Sequence, residues 1–473
     1  MRRAHLKNAF GGRDDYPSRP SCLIGLIRRA GLAICAFAAT TLLASAAPEF
    51  HRWAEKPPMG WNSWDCFATT VTEAQAKAQA DVMADQLARY GWQYLVVDIQ
   101  WYEPGAKNFE YRKGARLTMD EFGRLWPATN RFPSSVNGIG FKALSDYVHA
   151  KGLKFGVHLL RGIPRQAVAS NTPVKGTAYH PADVAATNST CAWNPDMYGV
   201  DMTKHGAQEY YNSVFDLFAA WGVDFVKVDD IARPYHKSEI EAIRHAIDQT
   251  GRPMLLSLSP GETPVREGEH VSVNANMWRI SDDFWDKWSL LREQFARLRN
   301  WAPFCGPGHF PDADMLPLGV TGMGRRTHFT QDEQYTLMSL WAIARSPLIF
   351  GGDMTRMDEF TMSLLTNAEV IAVDQNSTAN HELFNRDGLV GWCADVPGSV
   401  DKYVALFNTH DPQPDKTGLP VLVKFSDVGL VNKCNVRDLW KQKELGAFDT
   451  EFAPEINWHG AGLYRISGAR VAQ

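Results

Sequence analysis

Two rhythms of apolar and polar residues alternate along residues 58–385. Short apolar runs read as strands: MGWNSW, YLVVDIQW, KFGVHLL, DFVKVDD, MLLSLSP, MWRISDD and PLIFGG. Between them lie longer segments with apolar positions at helical spacing. The first of these opens with a capping-box pattern, Thr72 and Gln75, and runs through VMADQLARYG. FKALSDYVHAKG ends in glycine, as a helix does, and Gly206 and Gly222 bracket another. SEIEAIRHAIDQTG, FWDKWSLLREQFARLRNW and DEQYTLMSLWAIARS complete the set. Strand-then-helix alternation implies parallel strands with right-handed crossovers. Eight such units would close a (β/α)8 TIM barrel; an open doubly wound sheet is the other arrangement of the same pattern. Seven strands are evident, and the eighth is expected near Cys305–His309. No glycine-rich phosphate loop follows the first strand, which argues against dinucleotide binding.

The rhythm changes after about Phe384. LVGWCADV, KYVALFNT, VLVKFSDVGL and AGLYRIS are short alternating runs split by turn residues. They predict a small antiparallel β-sandwich domain over 385–473, behind an α/β barrel over 47–384. Residues 1–46 read as a signal peptide. Arg28 and Arg29 precede an apolar run from Ala30 to Leu43, and Ala44-Ser45-Ala46 supplies small residues at cleavage spacing. That run is short for a membrane span, so a secreted or periplasmic protein is expected rather than one with stable membrane insertion. Residues 1–46 carry seven Lys/Arg and two Asp/Glu, so their removal takes the net charge from −4 to −9. An acidic chain of this kind is a poor partner for nucleic acid. Five cysteines remain, and Cys393–Cys434 is a candidate disulfide in the C-terminal part.

Adjacent aspartates end two of the strand-like runs. Strand side chains alternate between faces. In DFVKVDD, Val226 and Val228 suit the helix-facing side, so Lys227 and Asp229 face inward at the C-terminal end of the strand, where barrel active sites lie. In MWRISDD, an arginine does not belong in an apolar helix layer, so Arg279 and Asp283 face inward and Asp282 joins polar loop groups. In YLVVDIQW, Leu95, Val97, Ile99 and Trp101 form the apolar side, and Asp98 and Gln100 the inner one. A single such aspartate is more often a buried ion-pair partner or a helix cap. Three inward acids with an inward Lys and Arg are too costly to bury without function. Two carboxylates across a barrel mouth, in a chain with Trp 16, Tyr 14 and Phe 24, point to glycoside hydrolysis. Lys227 would keep Asp229 ionised, and a drier setting would let Asp283 hold its proton. His158 could line the pocket or serve as a structural histidine. His309 with the acids of FPDAD makes only a weak metal pattern.

KPPMGWNSWDCF, DFVKVDD, NMWRISDD and FPDADMLPLG, in this order and spacing, resemble glycoside hydrolase family 27, the α-galactosidase group. The resemblance covers most of residues 56–385, and the β domain behind the barrel fits it. It implies a retaining mechanism that uses neither metal nor other cofactor, with Asp229 as nucleophile and Asp283 as acid/base. It implies sugar contacts at Trp64, Asp98, Lys227, Arg279 and Asp314. Ser259 falls near the place where animal members select the 2-substituent. The chain departs from the family at Ile99, where an aspartate usually helps to bind the hydroxyls around C4 and C6 of galactose. Isoleucine offers an apolar wall instead, a pattern shared with members that prefer β-L-arabinopyranose, which is galactose without its hydroxymethyl arm. No partner is visible for a disulfide that many members keep near the site, so the layout of the segment from Arg161 to Asn188 is open. The expected substrate is a carbohydrate with a terminal α-galactosyl unit, or alternatively a β-L-arabinopyranosyl unit. A carbohydrate-binding barrel without catalysis is the rival of a different class, and the presence of both Asp229 and Asp283 speaks against it.

Overall fold

The computed structural model describes residues 47–470; the expected signal peptide lies outside them. Eight parallel strands form one sheet: β1 (Met59–Asn62), β2 (Tyr94–Val97), β3 (Lys154–Leu160), β4 (Phe225–Asp229), β5 (Leu255–Leu258), β6 (Met277–Arg279), β7 (Phe310–Asp312) and β8 (Leu348–Phe350). Their order is β7-β6-β5-β4-β3-β2-β1-β8, with every pairing parallel. A parallel bridge from Leu316, just past β7, to Phe350 of β8 curls the two edges together. A barrel, not an open sheet, is therefore the solution. Helices Glu73–Val82, Lys142–His149, Ala207–Trp221, Lys237–Gln249, Trp288–Trp301 and Gln331–Ala344 fill the crossovers. The Thr72–Gln75 capping box forms, and Gly206 and Gly222 adopt left-handed conformations at the two ends of their helix.

The eighth strand lies one step beyond its expected position. Cys305–His309 is a tight turn, closed by reciprocal backbone bonds between Gly306 and His309, and the strand starts at Phe310. Only three residues long and containing a proline, it has no apolar run to announce it. His309 is tied to the Phe304 carbonyl and stacks on Trp278, which leaves it out of the cavity described below.

Behind the barrel, six antiparallel strands form a second sheet: β9 (Thr378–Arg386), β10 (Leu389–Asp395), β11 (Lys402–Asn408), β12 (Leu430–Asp438), β13 (Lys443–Phe448) and β14 (Ala461–Arg470). The order is β9-β10-β11-β14-β12-β13. Both faces are covered. Val390, Trp392 and Ala394, with Ala405 and Phe407, join the barrel core, where Phe407 meets Phe295 edge-on at 5.0 Å. Val404 and Leu406 point the other way, against Val421, Val423, Phe425 and Ile456 of the small second layer. This period of two is why the strands were legible. Cys393 and Cys434 are both free and buried. They sit on β10 and β12, separated by β11 and β14, and three strand spacings amount to ~14 Å, beyond the reach of a disulfide.

Among the described residues, no helix is long and apolar enough to cross a membrane. Trp101, just past β2, is fully buried and packs edge-on against Tyr102, Phe141 and Trp221. Its indole N–H donates to the carbonyl of His158 at 2.9 Å, linking the loop after β2 to β3. Trp101→Ala should lose about 3–5 kcal/mol in a urea or guanidinium melt.

Candidate active site

The C-terminal ends of the barrel strands open into a cavity of about 560 Å³. Trp64, Asp98, Ile99, Lys227, Asp229, Arg279, Asp283 and Asp314 all line it. They come from five different strand ends, so only closure of the barrel brings them together.

Asp98 is held first. It follows β2, its backbone N–H donates to Ser63 Oγ at 2.9 Å, and its Oδ2 accepts from Asn62 Nδ2 at 2.7 Å and from Lys227 Nζ at 2.8 Å. Lys227 stands two residues before Asp229 on the same face of β4, and its Nζ lies 3.7 Å from Asp229 Oδ1. Burial alone would depress the Lys227 ammonium, but Asp229, Asp98 and Asp283 more than offset it and hold the group charged. Burial alone would raise Asp229; Lys227 and His158 overturn that and keep its carboxyl below the usual carboxylate range. His158 Nε2 lies 2.9 Å from Asp229 Oδ2. An ionised carboxylate can only accept, so Nε2 carries the hydrogen. His158 is wholly buried behind Asp229 and does not line the cavity, which makes it a positioning group. Asp229 Oδ1 has no hydrogen-bond partner. One oxygen of this carboxylate is thus fixed and the other is free to act.

Asp98, His158 and Asp229 bring ligand atoms within 4.8 Å of one another, a spacing that could hold a cation. The Lys227 ammonium already supplies that charge.

Across the cavity, Arg279 pairs with Asp314 at 2.6 Å and with Asp283 at 3.2 Å. Asp314 also accepts the Phe284 and Met315 backbone N–H groups, both at 2.7 Å. Burial lifts its carboxyl above the ordinary range, against the pull of Arg279. Asp283 is not in the dry setting expected for it: its side chain is 51% exposed. Asp282 also reaches the cavity and pairs with Arg233 at the surface.

Two expectations from strand alternation fail at one place. Gln100, expected inward, donates to Asp196 instead, and Ile99, expected on the helix side, lines the cavity. β2 ends at Val97, and the alternation does not extend past the last paired residue. Ser259 does not line the cavity. It is buried behind Arg279, whose Nη1 donates to its hydroxyl at 3.3 Å, and Pro260 and Gly261 form the wall there. The segment after Arg161 is a three-stranded antiparallel excursion, Ile163–Pro164, Ala185–Thr190 and Met197–Val200, which carries Trp193 to the cavity. Cys191 in this excursion is a free thiol that burial pushes up to about 12.

Sequence reasoning missed Asp65, Tyr111, Trp193, Arg233 and Trp285, all cavity-lining. Asp65 is buried, Oδ2 lacks a partner, and burial, with Asp314 and Asp283 nearby, pushes its carboxyl well up. Its position after Trp64 in WNSWD was the one available signal. The others stand in loops without periodicity.

Acids, a lysine and an arginine converging at the C-terminal strand ends under an aromatic mouth suit glycoside hydrolysis, and the proteins that this chain is similar to make it a glycoside hydrolase. The alpha galactosidase A family model matches residues 56–204 and 198–376, and the model for the alpha galactosidase C-terminal beta sandwich domain matches 389–466. The chain belongs to glycoside hydrolase family 27. It is 30% identical to the α-galactosidase of Cyamopsis tetragonoloba over 87% of this chain and 86% of that one. It is 31% identical to α-galactosidase A of Cellvibrio japonicus over 70% of each. Among solved structures, the family 27 β-L-arabinopyranosidase of Geobacillus stearothermophilus superposes with a TM-score of 0.87, at 49% identity, covering 90% of this chain and 100% of that one.

Lys227→Met should leave Asp98 and Asp229 as facing buried carboxylates without their cation, costing about 3–5 kcal/mol at neutral pH. Because Asp229 titrates lower folded than unfolded, its stabilising contribution is present above the ordinary carboxylate pKa and fades as pH falls towards the folded value. The stability deficit of Lys227→Met should therefore shrink in denaturant melts taken at progressively lower pH. A constant deficit contradicts the electrostatic account.

Proposed function

We propose that this chain is an exported, retaining exo-glycosidase that removes terminal β-L-arabinopyranosyl units, and with lower preference the similarly configured α-D-galactosyl units. Ile99 in the cavity wall carries the preference. The two sugars share their ring hydroxyl arrangement and differ in the hydroxymethyl arm. Asp98 and Lys227 offer charged partners to ring hydroxyls, whereas Ile99 beside them offers only hydrocarbon. The 49% identity to a β-L-arabinopyranosidase supports the same preference, and the more distant α-galactosidases support the shared chemistry. Export is read from the basic, apolar and small-residue order of the leader.

In the proposed mechanism, the free Oδ1 of Asp229 attacks the anomeric carbon as the bond to the leaving oxygen breaks, and Asp283 gives that oxygen its proton. A water then attacks the anomeric carbon, its proton passes to Asp283, and the bond to Asp229 breaks to release the sugar with its configuration retained. The exposure of Asp283 suits both halves: its carboxyl meets first the leaving group and then the incoming water. Trp64, Arg279 and Asp314 would position the sugar ring.

A 2-fluoro arabinopyranosyl or galactosyl donor with a good leaving group should label Asp229, read by mass spectrometry of the digested protein. Labelling of another residue, or none, removes the assignment. Asp229→Asn should abolish turnover while leaving the circular dichroism spectrum unchanged. Ile99→Asp should move the ratio of kcat/KM on the two nitrophenyl glycosides towards the galactoside by about ten- to a hundredfold, the worth of one charge-assisted hydrogen bond. An unchanged ratio would sink Ile99 as the selector.

A further inference from the structure

One acid of the cavity stands apart from the rest. Asp98 and Asp229 share Lys227, Asp283 and Asp314 share Arg279, Asp230 pairs with Arg161, and Asp282 pairs with Arg233. Asp65 lines the same cavity, is 3% exposed, and its Oδ2 has no hydrogen-bond partner. Among the described residues it has no ion-pair partner either, because the two cations of the cavity floor are already engaged.

The backbone that carries Asp65 is fixed on both sides. Before it, the Trp64 N–H donates to Asn62 Oδ1 at 2.9 Å, and Nδ2 of the same asparagine donates to Asp98 Oδ2 at 2.7 Å. The Asp65 carbonyl accepts the Gly322 N–H at 2.6 Å. Room for the side chain comes from Gly351, just past β8, where a Cβ would overlap Asp65 Oδ2. Asp65 stands in the first turn of the short helix Trp64–Phe67, yet its Oδ2 accepts no backbone N–H, so capping that helix does not account for it. The carboxyl is thus placed with care against the cavity and left without a protein partner.

A buried carboxylate without a partner is costly. Burial, then Asp314 and Asp283, push the Asp65 carboxyl well above the usual range, against Lys227 and Arg279, and so favour the neutral acid. A neutral carboxyl has one O–H to donate and a C=O to accept. A sugar hydroxyl answers both. An anionic ligand would meet the surrounding acids, and hydrocarbon would leave the carboxyl unpaired.

We propose that Asp65 is a further substrate-binding residue, whose carboxyl exchanges hydrogen bonds with a ring hydroxyl of the terminal sugar at the floor of the cavity. The proposal rests on the glycosidase reading. Arabinopyranosyl and galactosyl units have the ring hydroxyls in common, so Asp65 acts on the binding of both, whereas Ile99 acts on the choice between them.

The test assays wild type, Asp65→Ala and Asp65→Asn on the nitrophenyl arabinopyranoside, its three monodeoxy analogues and the nitrophenyl galactoside. Asp65→Ala should lower kcat/KM about two- to tenfold on both full glycosides, the worth of one neutral hydrogen bond. The penalty for removing one particular ring hydroxyl should shrink by that same factor in Asp65→Ala, while the penalties for the other two stay as in wild type. Asp65→Asn, which keeps one donor and one acceptor without charge, should recover part of the loss. The Tm of Asp65→Ala should hold or rise, because the change removes an unpartnered buried polar group. Monodeoxy penalties that are all unchanged, or all reduced alike, mark a structural residue and overturn the proposal. A loss confined to the galactoside puts the carboxyl against the hydroxymethyl arm and overturns the ring-hydroxyl assignment. Wild-type protein that hydrolyses neither full glycoside overturns the glycosidase reading itself.

Discussion

The site depends on one buried charge arrangement: the Lys227 ammonium between the carboxylates of Asp98 and Asp229. Three charged groups taken from water are costly unless each finds partners. Here Lys227 reaches Asp98 at 2.8 Å and Asp229 at 3.7 Å, Asn62 and Ser63 hold Asp98, and His158 holds the second oxygen of Asp229. The arrangement links β1, β2, β3 and β4 at their C-terminal ends. It keeps Asp229 ionised inside a dry wall while leaving Oδ1 unbonded. The nucleophilic role proposed for Asp229 needs both properties.

The opposite wall works by a different balance. Arg279 divides itself between Asp314, which is buried, and Asp283, which is half exposed. One carboxylate is locked into the wall by two backbone N–H groups and the guanidinium, and the other stays accessible to whatever enters. The two walls therefore present acids in contrasting environments, which suits the two duties proposed for them. The scaffold behind them is unremarkable in its physics: apolar strand faces packed on helices, and a second sheet whose alternate residues bury against barrel and sandwich layer.

Much of this was legible because it is periodic. The capped helix at Thr72, the alternation in DFVKVDD and the outward apolar residues of the C-terminal strands are local properties, and local sequence reports them. Reading failed where periodicity ends. β7 is three residues long and follows a turn, so its position slipped. Beyond Val97 no strand pairing enforces alternation, so Ile99 and Gln100 exchange their expected faces. Cysteine counting offered Cys393–Cys434 as a candidate bond, but strand order puts two strands between them.

The sequence by itself determined the repeating strand and helix units, the inward turn of Lys227, Asp229 and Arg279, and the motif order that marks the family. Each follows from bonding geometry within a few residues. Only the tertiary structure decided which distant groups meet: that Ile99 forms wall, that Ser259 stands behind Arg279, that His158 backs Asp229, and that rings from four loops share one mouth. Those outcomes depend on the closure of the sheet and on loop paths, which couple residues well separated in sequence and leave no local trace.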